Sequence, residues 1–359
     1  LRRFELPLVR PLATAHGELR VRQGWLIALE DASGRVGLGE ATPLAPFGTE
    51  TPEICEAALV AMLADLLARP ERSLVEARRL VARRARSAPC AAAGVESALC
   101  DRAARERGRS LAAWLCEEAG LASAPAQSIR VQTLIGGETP EAVAEAAGRA
   151  RRDGFGTFKL KLAVSPSRPD LGVDRERVSA LRASVGPVAR IRLDANEAWS
   201  LPEAEAAFRS LEPFAIDYIE QPVRRDDLKA LAALSRLGEE LGLGVAADEA
   251  LLGDGLEACL EHRAARILVV KPAALGGLGP AAGLARRASR EGLRVVWSTL
   301  LDGAVGRTAA VHLAAALGPV DETHGLATGA WLTRDLLSSA SARGGWIPVP
   351  GGPGLGVES

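Results

Sequence analysis

The stretch Thr157-Phe158-Lys159-Leu160-Lys161-Leu162 decides how the rest of the chain is read. In an extended strand, residues two apart share a face. Lys159 and Lys161 therefore project together, while Phe158, Leu160 and Leu162 pack on the other side. Two ammonium groups that close repel each other, which lowers a lysine's pKa toward the range of a general base. An isolated K-x-K is ordinarily a wet surface strand. What sets this one apart is the series of strand-like segments downstream, each ending in a carboxylate or a lysine.

Working outward, short β runs alternate with helical stretches at 129–134, 157–162, 190–193, 216–219, 244–247, 266–270 and 294–297, with a weaker eighth near 323–327. Thr139-Pro140-Glu141 places proline at a first helical position, and Ser200-Leu201-Pro202-Glu203 has capping-box spacing. Such alternation implies a parallel sheet, and seven or eight repeats in about 200 residues point to a barrel rather than an open doubly wound sheet. The open sheet also lacks its G-x-G-x-x-G fingerprint. Gly276-Gly277-Leu278-Gly279 has no P-loop Lys-Ser/Thr and reads as a tight turn.

Before the barrel, residues 1–50 alternate as an antiparallel meander: Leu19-Arg20-Val21-Arg22, Trp25-Leu26-Ile27-Ala28-Leu29-Glu30, a turn at Asp31-Ala32-Ser33-Gly34, then Val36-Gly37-Leu38-Gly39-Glu40. The stiff loop Thr42-Pro43-Leu44-Ala45-Pro46-Phe47-Gly48 is placed to cover a neighbouring feature. Residues 52–122 switch to helical period, with one amphipathic helix expected at 91–107 and another at 111–118. Together these form an α+β unit of about 120 residues, closed by the linker Ser123-Ala124-Pro125-Ala126.

The chain has 359 residues, 48% of them hydrophobic, enough for a sizeable core. Forty-five acidic against 44 basic residues leave no electrostatic footprint for nucleic acid or an anionic membrane. No apolar run reaches the roughly 20 residues needed to span a bilayer. Leu1-Arg2-Arg3-Phe4-Glu5-Leu6-Pro7 lacks a signal-peptide core, and without an initial Met one or more residues are expected to be trimmed or left unnumbered. Cys55, Cys90, Cys100, Cys116 and Cys259 form no C-x-x-C and read as buried thiols in a reducing, cytoplasmic setting. His16, His262, His312 and His324 show no zinc spacing.

In a parallel barrel the chemistry sits at the C-terminal strand ends. Those ends hold Lys159 and Lys161, then Asp194, Glu220, Asp248 with Glu249 beside it, and Lys271. A single carboxylate there is commonly a helix cap. Three on successive strands about 4.8 Å apart converge and repel unless a hard cation sits among them. Mg²⁺ suits few protein ligands and leaves room for substrate. A metal flanked by amines suits removal of a proton next to a carboxylate.

The motifs T-F-K-L-K-L, R-L-D-A-N-E-A-W, I-E-Q-P, A-D-E and V-V-K-P-A-A-L-G-G resemble the muconate-lactonizing subgroup of the enolase superfamily, over almost the whole chain. The resemblance implies an α/β fold, a modified TIM barrel (β/α)7β at 126–334. An α+β capping domain at 1–125 would be completed by a tail, 335–359, that returns to it. It implies Asp194, Glu220 and Asp248 as Mg²⁺ ligands, with Mn²⁺ as a substitute. Lys161 would be the base, and Lys159 its neighbour, tuning its pKa and reaching the substrate carboxylate. Lys271 would lie on the opposite face, with Asn196 and Glu249 orienting the ligands. The partner would be a small carboxylate, and an oligomer is left open.

Within the subgroup, Pro11-Leu12-Ala13-Thr14-Ala15-His16-Gly17 and Gly39-Glu40-Ala41-Thr42-Pro43-Leu44-Ala45-Pro46-Phe47-Gly48-Thr49-Glu50-Thr51 most resemble the o-succinylbenzoate synthase family. That resemblance implies a lyase of menaquinone biosynthesis. It would dehydrate 2-succinyl-6-hydroxy-2,4-cyclohexadiene-1-carboxylate in a syn sense through an ene-diolate, with Lys271 over the substrate ring. The alternative is an N-succinylamino acid racemase or dipeptide epimerase with Lys271 as second acid/base, and a cycloisomerase comes third. Dipeptide epimerases usually carry D-x-D at the eighth strand, whereas Gly325-Leu326-Ala327-Thr328-Gly329 carries no acid, which argues against a free substrate ammonium. Ala327 also departs from synthases with Asp there. A non-catalytic barrel is at odds with the complete set of acids and lysines, and a Ser-His-Asp hydrolase lacks its G-x-S-x-G elbow.

Overall fold

The computed structural model describes residues 1–14, 17–163 and 170–357; Ala15 and His16 of the Pro11 to Gly17 stretch, and the last two residues of the tail, lie outside these. Three strands open the chain: β1 (Arg2–Thr14), β2 (Gly17–Glu30) and β3 (Val36–Ala41), an antiparallel meander in that order. Four helices follow: α1 (Pro52–Leu67), α2 (Leu74–Ala82), α3 (Pro89–Glu106) and α4 (Leu111–Glu118). Helix α3 departs from the amphipathic expectation, because every residue from Cys90 to Asp101 is buried. It lies directly on β3: a Cβ on Gly39 would stand 1.8 Å from the Gly94 carbonyl. The glycines in β3 thus mark a close backbone approach. Trp25, Ile27, Leu59, Met62, Val81 and Val95 fill the space between meander and helices.

The barrel then runs β4 (Ser128–Val131), β5 (Thr133–Ile135), α5 (Pro140–Arg152), β6 (Thr157–Lys161), α6 (Leu171–Val185), β7 (Arg190–Asp194), α7 (Leu201–Leu211), β8 (Ile216–Glu220), α8 (Leu228–Leu241), β9 (Gly244–Ala247), α9 (Gly255–His262), β10 (Ile267–Val270), α10 (Leu278–Arg290), β11 (Arg294–Trp297), α11 (Ala304–Leu317) and β12 (Thr323–His324). Strands β5 to β11 form a continuous parallel sheet in sequence order. Closure comes from β12, which pairs with β4 and reaches β11 through a bridge between Ser298 and Gly325. This is the (β/α)7β barrel. The expected first strand is two: β4 joins the closing sheet while β5 pairs with β6.

Local sequence explains the helix starts. Thr139 accepts from the Ala142 amide ahead of Pro140, and Ser200 donates its amide and hydroxyl to the Glu203 carboxylate. Gly276 and Gly277 have φ of +91 and +130°, and the Glu96 carboxylate from α3 receives the Gly279 amide at 3.1 Å. That helix start is therefore filled by a protein carboxylate, in keeping with a turn rather than a phosphate cradle.

Strand β13 (Trp346–Pro348) brings the tail back antiparallel to β4. Gly354 and Leu355 continue to the α3–α4 corner, bonding Arg109, Leu111 and Asp101. Another tie joins the two regions: the buried Glu40 carboxylate at the end of β3 accepts the Gly303 and Gly306 amides at the start of α11. Inside the barrel, Tyr218, Ala246, Ile267, Val269 and Val296 form an apolar layer. On the floor side, Arg192 donates to Asp217, Gln132, Glu322 and the Thr323 carbonyl, at 2.6–2.9 Å. All five cysteines are buried and free, and among the described residues no helix is long and apolar enough to cross a membrane.

Candidate active site

Lys161, Asp194 and Glu220 are the last residues of β6, β7 and β8. Asp248 and Lys271 directly follow β9 and β10. Parallel register aligns them, Lys161 beside Asp194 and Asp194 beside Glu220. All five, with Lys159, Asn196 and Glu249, line one cavity of about 270 Å³ at the barrel mouth. The sequence-predicted set is thus brought together whole.

The charges pair unevenly. The Lys159 ammonium lies 2.7 Å from both Asp194 and Glu220, and Lys271 bonds Asp248. Asn196 donates its amide and its side chain to Asp194. Asn196 and Glu197 reach this position with φ of +47 and +64°, a left-handed conformation that asparagine tolerates better than most residues. Four carboxyls (Asp194, Glu220, Asp248 and Glu249) meet three ammonium groups, and one oxygen each of Glu220, Asp248 and Glu249 is buried without a hydrogen-bond partner among the described residues.

These surroundings set the proton affinities. Burial pushes Glu220 up to about 8 against the pull of Lys159, with Asp194 and Asp248 adding to the rise. Burial likewise raises Asp248 to about 6 and Glu249 to about 7, with Lys271 opposing in both cases. Asp194 falls instead, because Lys159 and Lys161 outweigh its burial. The lysines diverge. Burial works against a charged Lys159, yet Asp194 and Glu220 hold it well above the ordinary value. Lys271 is raised in the same way by Asp248 and Glu249. Lys161 alone is lowered, chiefly by burial, with Asp194 opposing and the charge of Lys159 adding to the drop. Mutual repulsion is therefore a secondary cause, and it acts on one lysine of the pair.

Among the described residues, no three His, Cys, Asp or Glu side chains stand together as a ready metal cage. Two of the acids share the Lys159 ammonium, and Asp248 faces Lys271. The donor set nevertheless fits a hard divalent cation. It is all oxygen, it carries more acid than base, and it leaves buried carboxylate oxygens of Glu220 and Asp248 unbonded.

Several contributors escaped sequence reading. Gln221 accepts the Asp248 and Ala250 amides on its side-chain oxygen, fixing the turn that presents Asp248; its only sign was its place in I-E-Q-P. Arg225 grips Glu197 through its amide and guanidinium, the two nearest contacts at 2.6 Å, and donates to the Phe47 carbonyl. The 42–48 loop does cover something: Leu44, Pro46 and Phe47 line the cavity, and the Lys271 ammonium lies 4.1 Å from the Phe47 ring centroid. The ring beside Lys271 is thus the protein's own. Gly325, Ala327 and Thr328 form an uncharged wall on the eighth stave.

Residues 2–115 match the model of the mandelate racemase / muconate lactonizing enzyme N-terminal domain, and residues 141–359 match the enolase C-terminal domain-like model. The chain is 28% identical to the L-Ala-D/L-Glu epimerase of Bacillus subtilis, over 99% of this chain and 94% of that protein. It is also 28% identical to muconate cycloisomerase 1-1 of Acinetobacter lwoffii, over 99% and 91%. A substrate-liganded structure of the Bacillus epimerase superposes with a TM-score of 0.88 at 26% identity, covering 99% of this chain and 96% of that one. The expected o-succinylbenzoate synthase, and with it the menaquinone lyase, is corrected by these matches. The synthase of Thermosynechococcus vestitus aligns with 94% of the chain at 29% identity, a shorter match than the epimerase or cycloisomerase gives. The cap stretches quoted for it are short, and part of one lies outside the described residues.

Proposed function

The chain belongs to the mandelate racemase / muconate lactonizing family of enolase-like proteins, and on that premise we propose that it inverts the carbon next to a carboxylate. The substrate class is the N-acylated amino acids, a class that includes the C-terminal residue of a dipeptide. The observation that carries this is the placement of Lys161 and Lys271 at the C-terminal ends of β6 and β10, four staves apart in an eight-stave barrel and lining the same cavity. An α-carbon held between them offers one face to each amine.

The steps follow from the two lysines. Lys161, the amine with lowered proton affinity, accepts the α-proton on Nζ, and the C–H electron pair passes into the carboxylate. Lys271, held charged by Asp248, gives its Nζ proton to the opposite face. The carbon is inverted, Lys161 ends charged and Lys271 neutral, and the reverse reaction exchanges their roles. General acid–base placement of this kind contributes about 10²–10⁴-fold in rate. Asp194, Glu220 and Asp248 are the proposed ligands of a Mg²⁺ ion, which would neutralise charge growing on the substrate carboxylate. Asn196 orients Asp194, and Lys159 bridges Asp194 and Glu220 close to where a substrate carboxylate would lie. In this reading residues 1–125 and the tail act as the cap over 126–334. The uncharged eighth stave favours an acyl group without a free ammonium.

The test is α-proton exchange. The protein with Mg²⁺ is incubated in D₂O with N-succinyl-L-amino acids and with L-Ala-L-Glu, and proton NMR and chiral analysis follow the products. Deuterium at Cα together with the second epimer supports the reading. A folded, Mg²⁺-supplied protein that exchanges none of these substrates sinks it.

A further inference from the structure

We propose that Phe47 is a positioning residue for Lys271, and that the Glu197–Arg225 pair is the latch that seats it; the first half of its test rests on the two-lysine reading above. Phe47 belongs to the cap and Lys271 to the barrel. The ammonium nevertheless lies 4.1 Å from the ring centroid, within the range of a cation–π contact. The ring is also packed with Leu44, Leu252 and Ala273 against buried Cys90, Ala274 and Leu300. Its face toward Lys271 is therefore held by an apolar cluster. On one side of the amine stands Asp248. Beside it, Phe47, Val269, Leu251 and Leu275 line a crevice of about 10 Å³, room for no more than a single water. The Lys271 side chain is only 12% exposed, and it lines the main cavity.

The latch explains why a cap loop can hold so close a contact. Within the loop, Leu44 bonds the Thr49 hydroxyl and Phe47 bonds the Leu44 carbonyl, at 2.7 and 2.9 Å. Gly48 has φ of +116°, and a Cβ there would stand 2.6 Å from an Arg225 nitrogen. The guanidinium therefore runs against the turn and donates to the Phe47 carbonyl at 2.6 Å. Arg225 is itself fixed by Glu197. Glu197 and Arg225 lie in the loops after β7 and β8, which end in Asp194 and Glu220. The loop that shields Lys271 is thus tied to the loops beside two of the central acids. A cap that lifted would uncover Lys271 while leaving Lys161 in place.

Phe47→Leu and Arg225→Met are compared with the unmodified protein in two measurements. The first is deuterium wash-in to each epimer of an N-succinyl amino acid taken separately, with Lys271→Ala showing which epimer presents its proton to that lysine. Phe47→Leu is expected to slow exchange of that epimer about tenfold and leave the other nearly unchanged. Phe47→Trp should restore it, and Arg225→Met should give a weaker version of the same asymmetry. Equal slowing of both epimers makes Phe47 a mere wall and overturns the inference while leaving the two-lysine reading intact. The second measurement needs no substrate: reductive methylation by formaldehyde and cyanoborohydride, read by mass spectrometry, with exposed Lys229 as the internal reference. Faster labelling of Lys271 relative to Lys229 in Phe47→Leu and Arg225→Met supports the shield, and unchanged labelling overturns it even if no substrate exchanges.

Discussion

Arg192 and Asp194 stand two residues apart on β7, so both point into the barrel, one toward its floor and the other toward its mouth. Their surroundings differ in one respect. On the floor, the guanidinium groups of Arg192 and Arg294 face the carboxylates of Asp217 and Glu322, and every one of those oxygens accepts a bond. Both floor acids are held below their ordinary pKa by these arginines in spite of burial. At the mouth, burial instead drives Glu220, Asp248 and Glu249 upward, and buried oxygens go unbonded. Planar, multidentate guanidinium groups satisfy carboxylates that point-like ammonium groups leave half-served. The floor is a finished structural joint. The mouth, among the described residues, keeps buried carboxylate oxygens without donors.

The largest effects should fall on opposite quantities at the two ends. Lys161→Ala or Lys271→Ala should lower epimerisation by about 10²–10⁴-fold with little change in unfolding temperature. An active Lys161→Ala protein would break the contrast outright. Arg192→Met should do the reverse, because it removes the buried member of the arginine pair that neutralises Asp217 and Glu322, and with it the bonds to Gln132 and the Thr323 carbonyl. It is expected to cost about 3–5 kcal/mol of stability in denaturant unfolding, while activity per folded molecule drops far less than in the lysine variants. A stable Arg192→Met protein would show the floor to be no joint at all.

Much of this contrast is legible in the sequence, and the reason is period. Strands reveal themselves by alternation, and alternation alone places Lys159, Lys161, Asp194, Glu220, Asp248 and Lys271 at strand ends. A residue whose partner lies far along the chain offers no such signal. Arg192 reads as one more charge in Arg190-Ile191-Arg192, yet its partners Gln132 and Glu322 lie 60 and 130 residues away. Arg225 is likewise 178 residues from Phe47. Helix α3 defeats the amphipathic expectation because its alanines and glycine permit close packing on all sides, and composition does not say on how many sides neighbours arrive. The expected dehydration fails for a different reason: motifs that hold the acids and lysines are common to several chemistries in this family. The cap loop at 42–48 meets the barrel through long-range contacts such as that of Arg225 with Phe47, which leave no local pattern to read.

A cation should distinguish the two ends further. If Mg²⁺ is held by the acids of the mouth it binds only the folded chain, and at about 100-fold over its dissociation constant it should add ~2.7 kcal/mol of stability. Differential scanning calorimetry with and without the metal reads this, and Asp248→Asn should remove most of the gain. A melting temperature unmoved by millimolar Mg²⁺ or Mn²⁺ would mean that the lysines alone complete the mouth.

The smallest effect concerns a third set of buried charges, at the joint between meander and barrel, and shows whether burial alone produces the mouth's behaviour. Glu40 accepts the Gly303 and Gly306 amides and the Thr42 hydroxyl. Burial, with Asp302 adding to it, still pushes its carboxyl from an ordinary 4.5 up to about 7. The folded protein therefore holds a proton here that the unfolded chain has released between about pH 4.5 and 7. Stability from this group is full below that window and is lost as pH rises through it. Asp302, also raised by burial, competes with Glu40 for the same proton, so the part of the roughly 3 kcal/mol that Glu40 itself carries should be of order 1–2 kcal/mol. Glu40→Gln cannot titrate, so the stability of the unmodified protein relative to this variant should decline from pH 5 to pH 8. Parallel stability curves would mean that the two amides at the start of α11 keep Glu40 ionised throughout. In that case aimed donors, as on the floor, suffice to overcome burial, and the raised carboxyls of the mouth would follow from its missing donors rather than from its depth.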